Sequence, residues 1–295
     1  MILGVIAQLF PVVAPVLIII AIGYAWARHG RALDVPFLAN LIHNVGMPCM
    51  IFSTLTRVDV DPLVFVDMSW ASLATHLAFV LISALVLRAA RLPLSVYLNG
   101  MVFPNAGNIG LPLCLFAYGE LGLALSIAWF TVDSVMVVTL GVWVASGKFT
   151  GRDLIRAPLL YAALGAVYFL ASGTKPPEWL ANTTGLIGGL AIPLLLVMLG
   201  ASLATLRVTN LKRAVLLSML RLGMGFGVGV IAAWLFGFEG VERGVLIINC
   251  SLSVGIINYL LSQYYDQEPQ EIAAIVVVSA FISIATLPLL LAYVL

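Results

Sequence analysis

Two prolines and two asparagines stand inside one apolar stretch, FPNAGNIGLPL, which begins at Phe103. Pro104 and Pro112, together with two glycines, cannot maintain an unbroken helix. Asn105 and Asn108 add amide donors and acceptors to the backbone groups that such a break releases. At membrane depth this kind of backbone is tolerated only where it is buried in protein or lines a wet cavity. The stretch therefore predicts half of a binding site for a solute.

A second polar interruption, NCSLSVGIIN, runs from Asn249 to Asn258 in a later apolar segment. If the two breaks cross, the N-termini of their half-helices present free N–H groups and positive dipole ends, which suit a carboxylate. Alternatively, both are kinks whose Asn and Ser side chains only satisfy the backbone. Their corresponding places in the two halves of the chain favour a site. The predicted substrate-binding residues are Asn105, Asn108, Gly110, Pro112, Ser251, Ser253, Gly255 and Asn258.

Three further polar residues lie in apolar segments and are candidates for ion or proton coupling: Asp133, His76 and Arg221. A charged, unpaired carboxylate at membrane depth costs several kcal/mol, so Asp133 is a functional candidate by default. It could carry a proton, or it could form a structural ion pair with Arg221. An offset of 145 residues relates Arg221 to His76, for which a buried, hydrogen-bonded structural role is the favoured interpretation.

Composition places the chain in a membrane. Its 295 residues are 62% hydrophobic and 9% charged, with a mean hydropathy of +1.13, far from the composition of a soluble domain. The formal charge of +1 gives no basic surface for nucleic acid. The first apolar run lacks the basic region and cleavage site of a signal peptide, which predicts a retained first helix.

Enzymatic and cofactor motifs are missing from the sequence. Cys49, Cys114 and Cys250 are odd in number and show no CxxC spacing, so neither a disulfide framework nor a metal site is expected. HExxH and GxSxG are absent, as is the nucleotide loop GxxxxGK[ST]. We therefore expect no cofactor, no enzymatic activity and no transport driven by ATP on this chain alone.

About 20 apolar residues are needed to cross a bilayer core, and the polar, proline and glycine punctuation divides the chain into ten such spans. The sequence thus predicts an all-α integral membrane protein whose fourth and ninth spans are interrupted. The predicted spans are 5–27, 37–56, 69–88, 94–118, 122–146, 156–172, 182–206, 212–237, 242–265 and 270–294.

Loop charges predict the orientation. One set of alternate loops is rich in Lys and Arg and is expected to be cytoplasmic, which puts both termini of this multi-pass protein outside the cell membrane. The acidic loop around Asp266 is a local exception. The basic loops hold Arg28, Arg31, Arg88, Arg91, Lys148, Arg152, Arg156, Arg207, Lys212 and Arg213, and the opposite loops hold Arg57, Lys175 and Arg243.

The second half of the chain echoes the first at an offset near 145. The pairs of matching landmarks are Ala14-Pro15 with Ala157-Pro158, Gly30 with Gly173, Met47-Pro48 with Ile192-Pro193, and Asn108 with Ser253. Five spans per repeat is an odd number, so the halves, 1–150 and 151–295, must have opposite topologies. Inverted repeats with paired discontinuous helices are typical of secondary transporters.

These landmarks resemble the auxin efflux carrier family, the PIN-like branch of the bile acid, arsenite and riboflavin transporter superfamily. The pattern PNxxxxGxPL runs from Pro104 to Leu113 and is similar to the crossover of helix 4 in plant carriers. LSVGIINYLLSQYY, from Leu252 to Tyr265, resembles the crossover of helix 9, and IPLLLVMLGASL, from Ile192, resembles helix 7.

The resemblance implies a scaffold domain of helices 1, 2, 6 and 7 and a mobile transport domain of helices 3–5 and 8–10. It also implies a homodimer and an elevator mechanism. Asn105 aligns with the family's substrate-contacting asparagine and Pro112 with its crossover proline. Ser253 and Asn258 stand where the plant carriers have prolines, so the second break depends on Gly255 and polar side chains.

The sequence therefore predicts a secondary transporter of a small organic anion, such as a mono- or dicarboxylate or an auxin-like acid. Uniport down the membrane potential would need no titratable group. A sodium-coupled symporter of the bile acid type is the nearest alternative, with sodium held by unwound carbonyls and Asn and Ser oxygens. A membrane receptor that binds a ligand without transporting it is another.

Overall fold

A computed structural model describes residues 2–31, 33–57, 62–148, 158–172, 174–206 and 210–295, and throughout these ranges the chain is built of helices. The helices are α1 (Ile2–Arg28), α2 (Val35–Leu41), α3 (Met47–Arg57), α4 (Pro62–Ala89), α5 (Leu94–Val102), α6 (Leu111–Met136), α7 (Val142–Ser146), α8 (Pro158–Ser172), α9 (Glu178–Gly189), α10 (Ala191–Thr205), α11 (Leu211–Leu235), α12 (Gly240–Cys250), α13 (Ile256–Tyr264) and α14 (Pro269–Val294). Wider π-helical turns occupy Ile42–Gly46, Ala106–Gly110 and Val137–Gly141.

Seven segments of the described chain are long and apolar enough to cross a membrane. They are Phe10–Arg28, Val35–Arg57, Leu63–Ala89, Ala106–Ser146, Glu178–Thr205, Leu211–Leu235 and Pro269–Val294. The predicted all-α membrane architecture is therefore confirmed. The two segments predicted to be interrupted are broken, because α5 ends before Phe103 and α12 ends before Ser251.

The segment Ala106–Ser146 folds back on itself. Gly119, at φ 66° and ψ −156°, leaves the helical conformation inside α6. A Cβ added at Gly122 would lie 2.5 Å from the Cys114 carbonyl oxygen, whereas eight residues of straight helix span about 12 Å. The chain therefore reverses at Gly119, and this long segment contains the end of the fourth predicted span and the whole of the fifth.

The helices pack in two groups. In the first, α1 crosses α10 and α3 packs on α8 and α9. Glycines permit the closest of these crossings, since Gly23 faces the Val197 backbone and Gly200 faces the Ile20 backbone too closely for any side chain. In the second group, α4, α5 and α6 pack against α11, α12, α13 and α14.

Some residues on which the predictions relied lie outside the described ranges. They are the basic loop residues Arg152, Arg156 and Arg207 and the repeat landmarks Ala157 and Gly173.

Candidate functional site

The two helix breaks meet and pair through their backbones. Pro104 and Val254 form an antiparallel bridge. The Asn105 N–H donates to the Ser253 carbonyl oxygen at 2.8 Å, and the Gly255 N–H donates to the Phe103 carbonyl oxygen at 3.1 Å. Residues 104 and 254 are far apart in sequence, so the crossing joins the two halves of the chain.

Polar side chains satisfy other backbone groups that the breaks release. The Asn258 amide nitrogen donates to the carbonyl oxygens of Phe103 and Gly255, at 2.9 Å each. The Ser279 hydroxyl accepts the Val254 N–H at 3.0 Å. These bonds replace the ones lost from the helices, which is the condition for irregular backbone within a membrane.

A cavity of about 220 Å³ lies beside the crossing. The N-terminal turns of both half-helices reach it: Asn105 and Gly107 come from the first break, and Gly255 and Ile256 from the second. The first N–H groups of a helix have no partner within it, and they give that end a partial positive charge. The residues that form the wall of the cavity are Ala39, Ile42, His43, Met47, Pro104, Asn105, Gly107, Asn108, Phe130, Asp133, Ser134, Val137, Val138, Leu195, Met198, Gly255, Ile256, Ile257 and Leu260.

All three π-helical turns contribute to this wall. Ile42–Gly46 supplies His43, Ala106–Gly110 supplies Asn108, and Val137–Gly141 supplies Val138. A π turn rotates the side chains that follow it relative to a regular helix, and such turns are frequent at functional sites. Here all three contribute residues to the wall of one cavity.

Asn105 is the most informative polar group in the cavity. Its residue is only 3% exposed, yet its amide nitrogen has no hydrogen-bond partner among the described residues. An unpaired buried donor costs about 1–3 kcal/mol. An anion in the cavity would remove this cost. Asn108 and Ser134 line the same space and are partly exposed.

Asp133 lies at the cavity wall and pairs with His76. The distance from its Oδ1 atom to His76 Nε2 is 2.9 Å, and the other ring nitrogen, Nδ1, lies 2.8 Å from the Ser72 carbonyl oxygen. His76 is fully buried, against the ring of Trp129 at 4.7 Å between centroids. The suggested Asp133–Arg221 ion pair is therefore corrected, because the hydrogen-bonded partner of Asp133 is His76.

Arg221 is buried elsewhere in the second helix group. Its Nη1 donates to the Cys250 carbonyl oxygen at 3.0 Å, and its guanidinium carbon lies 4.7 Å from the centroid of the Phe79 ring. The carbonyl belongs to the last residue of α12, where the helix dipole is negative. Arg221 thus holds the end of the helix that leads into the second break.

Asn105, Asn108 and Gly255 are the predicted binding residues that line the cavity, and Asn258 holds the crossing together. The others lie around them. Gly110 faces Asn249, and Pro112 lies in the first turn of α6. Ser253 contributes its carbonyl to the crossing, while the Ser251 hydroxyl donates to the Ile247 carbonyl oxygen at 2.6 Å. Ser251 lines a separate apolar cavity between α11 and α14.

Sequence reasoning missed several cavity residues. His43 received no role from the sequence, and Met47, Phe130, Leu195 and Met198 read as ordinary apolar core. A signal was present for two of these residues, because Met47 directly precedes Pro48 and Leu195 lies two residues after Pro193, the matching proline of the second repeat.

Comparisons with known proteins agree with this geometry. Residues 142–291, about half of the chain, match the family model described as "Membrane transport protein". The chain is similar to an "Uncharacterized transporter" of Methanothermobacter thermautotrophicus, with 26% identity over 94% of this chain and 95% of the relative. It is also similar to an uncharacterized transporter of Methanocaldococcus jannaschii, with 21% identity over 94% of this chain and 96% of that protein.

The family match, the two full-length relatives and the crossing of the broken helices point the same way. This multi-pass membrane protein belongs to the membrane transport protein family, the PIN-like family of the auxin efflux carriers.

Proposed function

We propose that the protein is a secondary transporter of small organic anions, which bind in the cavity beside the crossing. The observation that carries the proposal is the buried side-chain amide nitrogen of Asn105, which has no hydrogen-bond partner in the described part of the chain and lies at a cavity reached by two half-helix N-termini. These groups offer donors and positive dipole ends, and the remaining wall is largely apolar. A short carboxylic acid matches this combination.

The size of the cavity supports a small substrate. Pockets for drug-sized ligands occupy about 300–1,000 Å³, whereas this cavity measures about 220 Å³. A mono- or dicarboxylate of a few carbons suits this volume better than a ligand the size of a bile acid.

Ten spans in two inverted repeats are part of the proposal, and repeated hydrogen bonds support them. The Ser72 hydroxyl of α4 donates to the Trp129 carbonyl oxygen at 2.9 Å, and the Ser218 hydroxyl of α11 donates to the Ile275 carbonyl oxygen at 3.4 Å. Donor and acceptor are both displaced by 146 residues (218−72 and 275−129). Helix packing repeats similarly, with α1 on α10 matching α8 on α3.

The place of the cavity between the two helix groups supports an elevator mechanism, which is part of the proposal. Met47 and Leu195 come from the first group, which we assign as the scaffold, whereas Asn105, Asp133 and Gly255 come from the second, which we assign as the transport domain. A substrate held by the second group would cross the membrane as that group slides along the scaffold. We extend the proposal to a homodimer in the cell membrane with both termini outside.

The test is uptake and counterflow in proteoliposomes, with radiolabelled pyruvate, malonate, malate and indole-3-acetate. Asn105→Ala removes a charge-assisted hydrogen bond worth about 1.5–3 kcal/mol, so affinity for the transported acid should fall roughly 10- to 150-fold. Thermal stability should not fall, because the lost donor has no hydrogen-bond partner among the residues that the structure describes. The exposed Asn182→Ala on α9 is the matched control.

Two results would contradict the proposal. If Asn105→Ala left the affinity for every transported acid unchanged, the substrate would bind elsewhere. If acids bound to the purified protein and counterflow never occurred, the protein would be a receptor. Uptake that required sodium would favour the bile acid type of symport instead.

A further inference from the structure

The hydrogen bonds of His76 determine how many protons it shares with Asp133. A carbonyl oxygen can only accept, so the contact of Nδ1 with the Ser72 carbonyl at 2.8 Å requires a proton on Nδ1. The Ser72 hydroxyl is 3.5 Å from Nδ1 and donates instead to the Trp129 carbonyl oxygen at 2.9 Å. It therefore offers Nδ1 no proton to accept.

The contact between Nε2 and Asp133 Oδ1 requires a second proton. At 2.9 Å, two lone pairs would repel each other, so one proton must lie between the two atoms. The pair is then either an imidazolium with a carboxylate or an imidazole with a carboxylic acid. Both forms have no net charge, and loss of the shared proton leaves one negative charge on Asp133 beside the cavity.

Arg221 supplies a fixed positive charge next to Phe79, which also contacts His76. The Phe79 ring lies under the guanidinium at 4.7 Å and meets the His76 ring edge-on at 6.1 Å. Arg221 is fully buried, and within the described residues its Nε and Nη2 atoms have no hydrogen-bond partner. Arginine keeps its charge in proteins, and the Phe79 ring that it contacts is also in contact with His76, the hydrogen-bonded partner of Asp133.

Other titratable groups near the pair do not replace this balance. Cys250, on α12, lies next to Arg221, which is on α11. His43 lies on the part of the cavity wall that the other helix group contributes. Tyr97 on α5 is engaged elsewhere, since its hydroxyl donates to Glu271 at 3.2 Å. The charge balance of this region therefore depends on Arg221, on the His76–Asp133 pair and on whatever occupies the cavity.

Two arrangements neutralise Arg221. In the empty cavity, Asp133 compensates Arg221 after the shared proton has left and His76 Nε2 has moved beyond 2.9 Å from Asp133 Oδ1, so the geometry described here is that of the protonated, anion-bound arrangement. With a carboxylate anion in the cavity, the anion compensates Arg221, and Asp133 must be neutralised by a proton shared with His76. An uncompensated charge at membrane depth costs several kcal/mol. A state that holds both the anion and an ionised Asp133, or neither of these negative charges, is therefore disfavoured.

We propose that binding of a monovalent carboxylate is coupled to uptake of one proton, held between His76 Nε2 and Asp133 Oδ1. This inference rests on the proposed function and specifies its coupling ion. The proton enters from water on the side where the anion binds and returns to water on the side where the anion leaves. Anion and proton together carry no charge, so transport is electroneutral and independent of sodium.

The test uses radiolabelled pyruvate, a monovalent and poorly membrane-permeant acid, in proteoliposomes. Wild-type protein should accumulate it about tenfold for each pH unit of an inside-alkaline gradient. A potassium–valinomycin potential or a sodium gradient should produce no accumulation. Asp133→Asn should lose accumulation, and the counterflow that it shows should no longer depend on pH, while Asp67→Asn, an exposed carboxylate on the same helix as His76, should behave as wild type. Accumulation by Asp133→Asn, or wild-type accumulation that follows sodium or potential, would overturn the coupling.

Two further measurements distinguish a failure of the proton coupling from a failure of the proposed transport function. When pyruvate is added to the detergent-purified protein in weak buffer, the protein should take up one proton per bound acid, which is measured as a rise in pH. Asp133→Asn should cause no change in pH. Nitrogen-15 NMR of the imidazoles, assigned with His76→Gln, should show a protonated Nδ1 in wild type and a proton shared with Asp133 in the pyruvate complex. A missing shared proton refutes the coupling. Absence of counterflow for all four acids refutes the proposed function instead.

Discussion

Gly255 permits a close approach of the two broken helices, and Gly255→Ala tests that contact directly. A Cβ at this position would lie 2.8 Å from the Pro104 carbonyl oxygen. Contacts between an aliphatic carbon and a carbonyl oxygen are about 3.3–3.6 Å, so the two segments would have to separate by about 0.5 Å. The Gly255 N–H to Phe103 bond, now 3.1 Å, would then exceed hydrogen-bonding distance.

The magnitude follows from these distances. A buried N–H without a partner costs about 1–3 kcal/mol, whereas an alanine gains about 0.4–1 kcal/mol by restricting the unfolded chain. The φ of −69° and ψ of 142° at Gly255 suit alanine, so steric overlap is the main cost. We expect a net loss of about 1–2 kcal/mol.

Gly227→Ala on α11 is the matched control, since a Cβ there would meet no atom within 4 Å. It should stabilise the helix by about 0.5–1 kcal/mol. At about 2–4 °C per kcal/mol, Gly255→Ala should unfold roughly 3–12 °C below the control. A thiol-reactive dye that reports exposure of the buried Cys114 and Cys250 measures this in detergent. Equal unfolding temperatures would mean that the close approach is absent.

Other substitutions test the helix packing. Gly200→Ala places a methyl group against the Ile20 backbone and should destabilise the protein by about 1–3 kcal/mol through overpacking. The measurement is a lower unfolding temperature and a lower yield. An unchanged unfolding temperature would contradict the α1–α10 crossing. Arg213→Gln removes the bonds to Glu271 and Tyr97, at 3.2 and 3.0 Å. Because the Arg213 side chain is solvent-exposed, its substitution should lower the unfolding temperature only slightly, and the loss should shrink in high salt; a salt-independent loss would contradict this account.

Much of the helical framework could be predicted from the sequence, because hydropathy and helix-breaking residues depend only on local chemistry. The predicted interruption at Pro104 and Asn105 lies where α5 ends. The second interruption was recognised without a proline, from its Ser, Gly and Asn residues, and lies between α12 and α13.

The partners across the site could not be predicted in the same way. The repeat offset placed His76 and Arg221 at related depths, but depth does not specify which side of a helix a residue occupies. Uniformly apolar helices carry no periodic signal for that direction. His76 therefore faces Asp133, while Arg221 faces the end of α12. The π-helical turn that contains His43 rotates its side chains relative to a regular helix, which explains why that cavity residue was missed.

The bridge between Pro104 and Val254 also affects how the protein is made. During synthesis, the first break enters the membrane long before the second has been translated. The Phe103 carbonyl oxygen then lacks the hydrogen bonds that Gly255 and Asn258 later donate to it. An unpaired backbone group in lipid costs several kcal/mol. We therefore expect the nascent first half to keep this stretch near water or an insertion chaperone, and the substrate pocket to be completed only after the second half has been inserted.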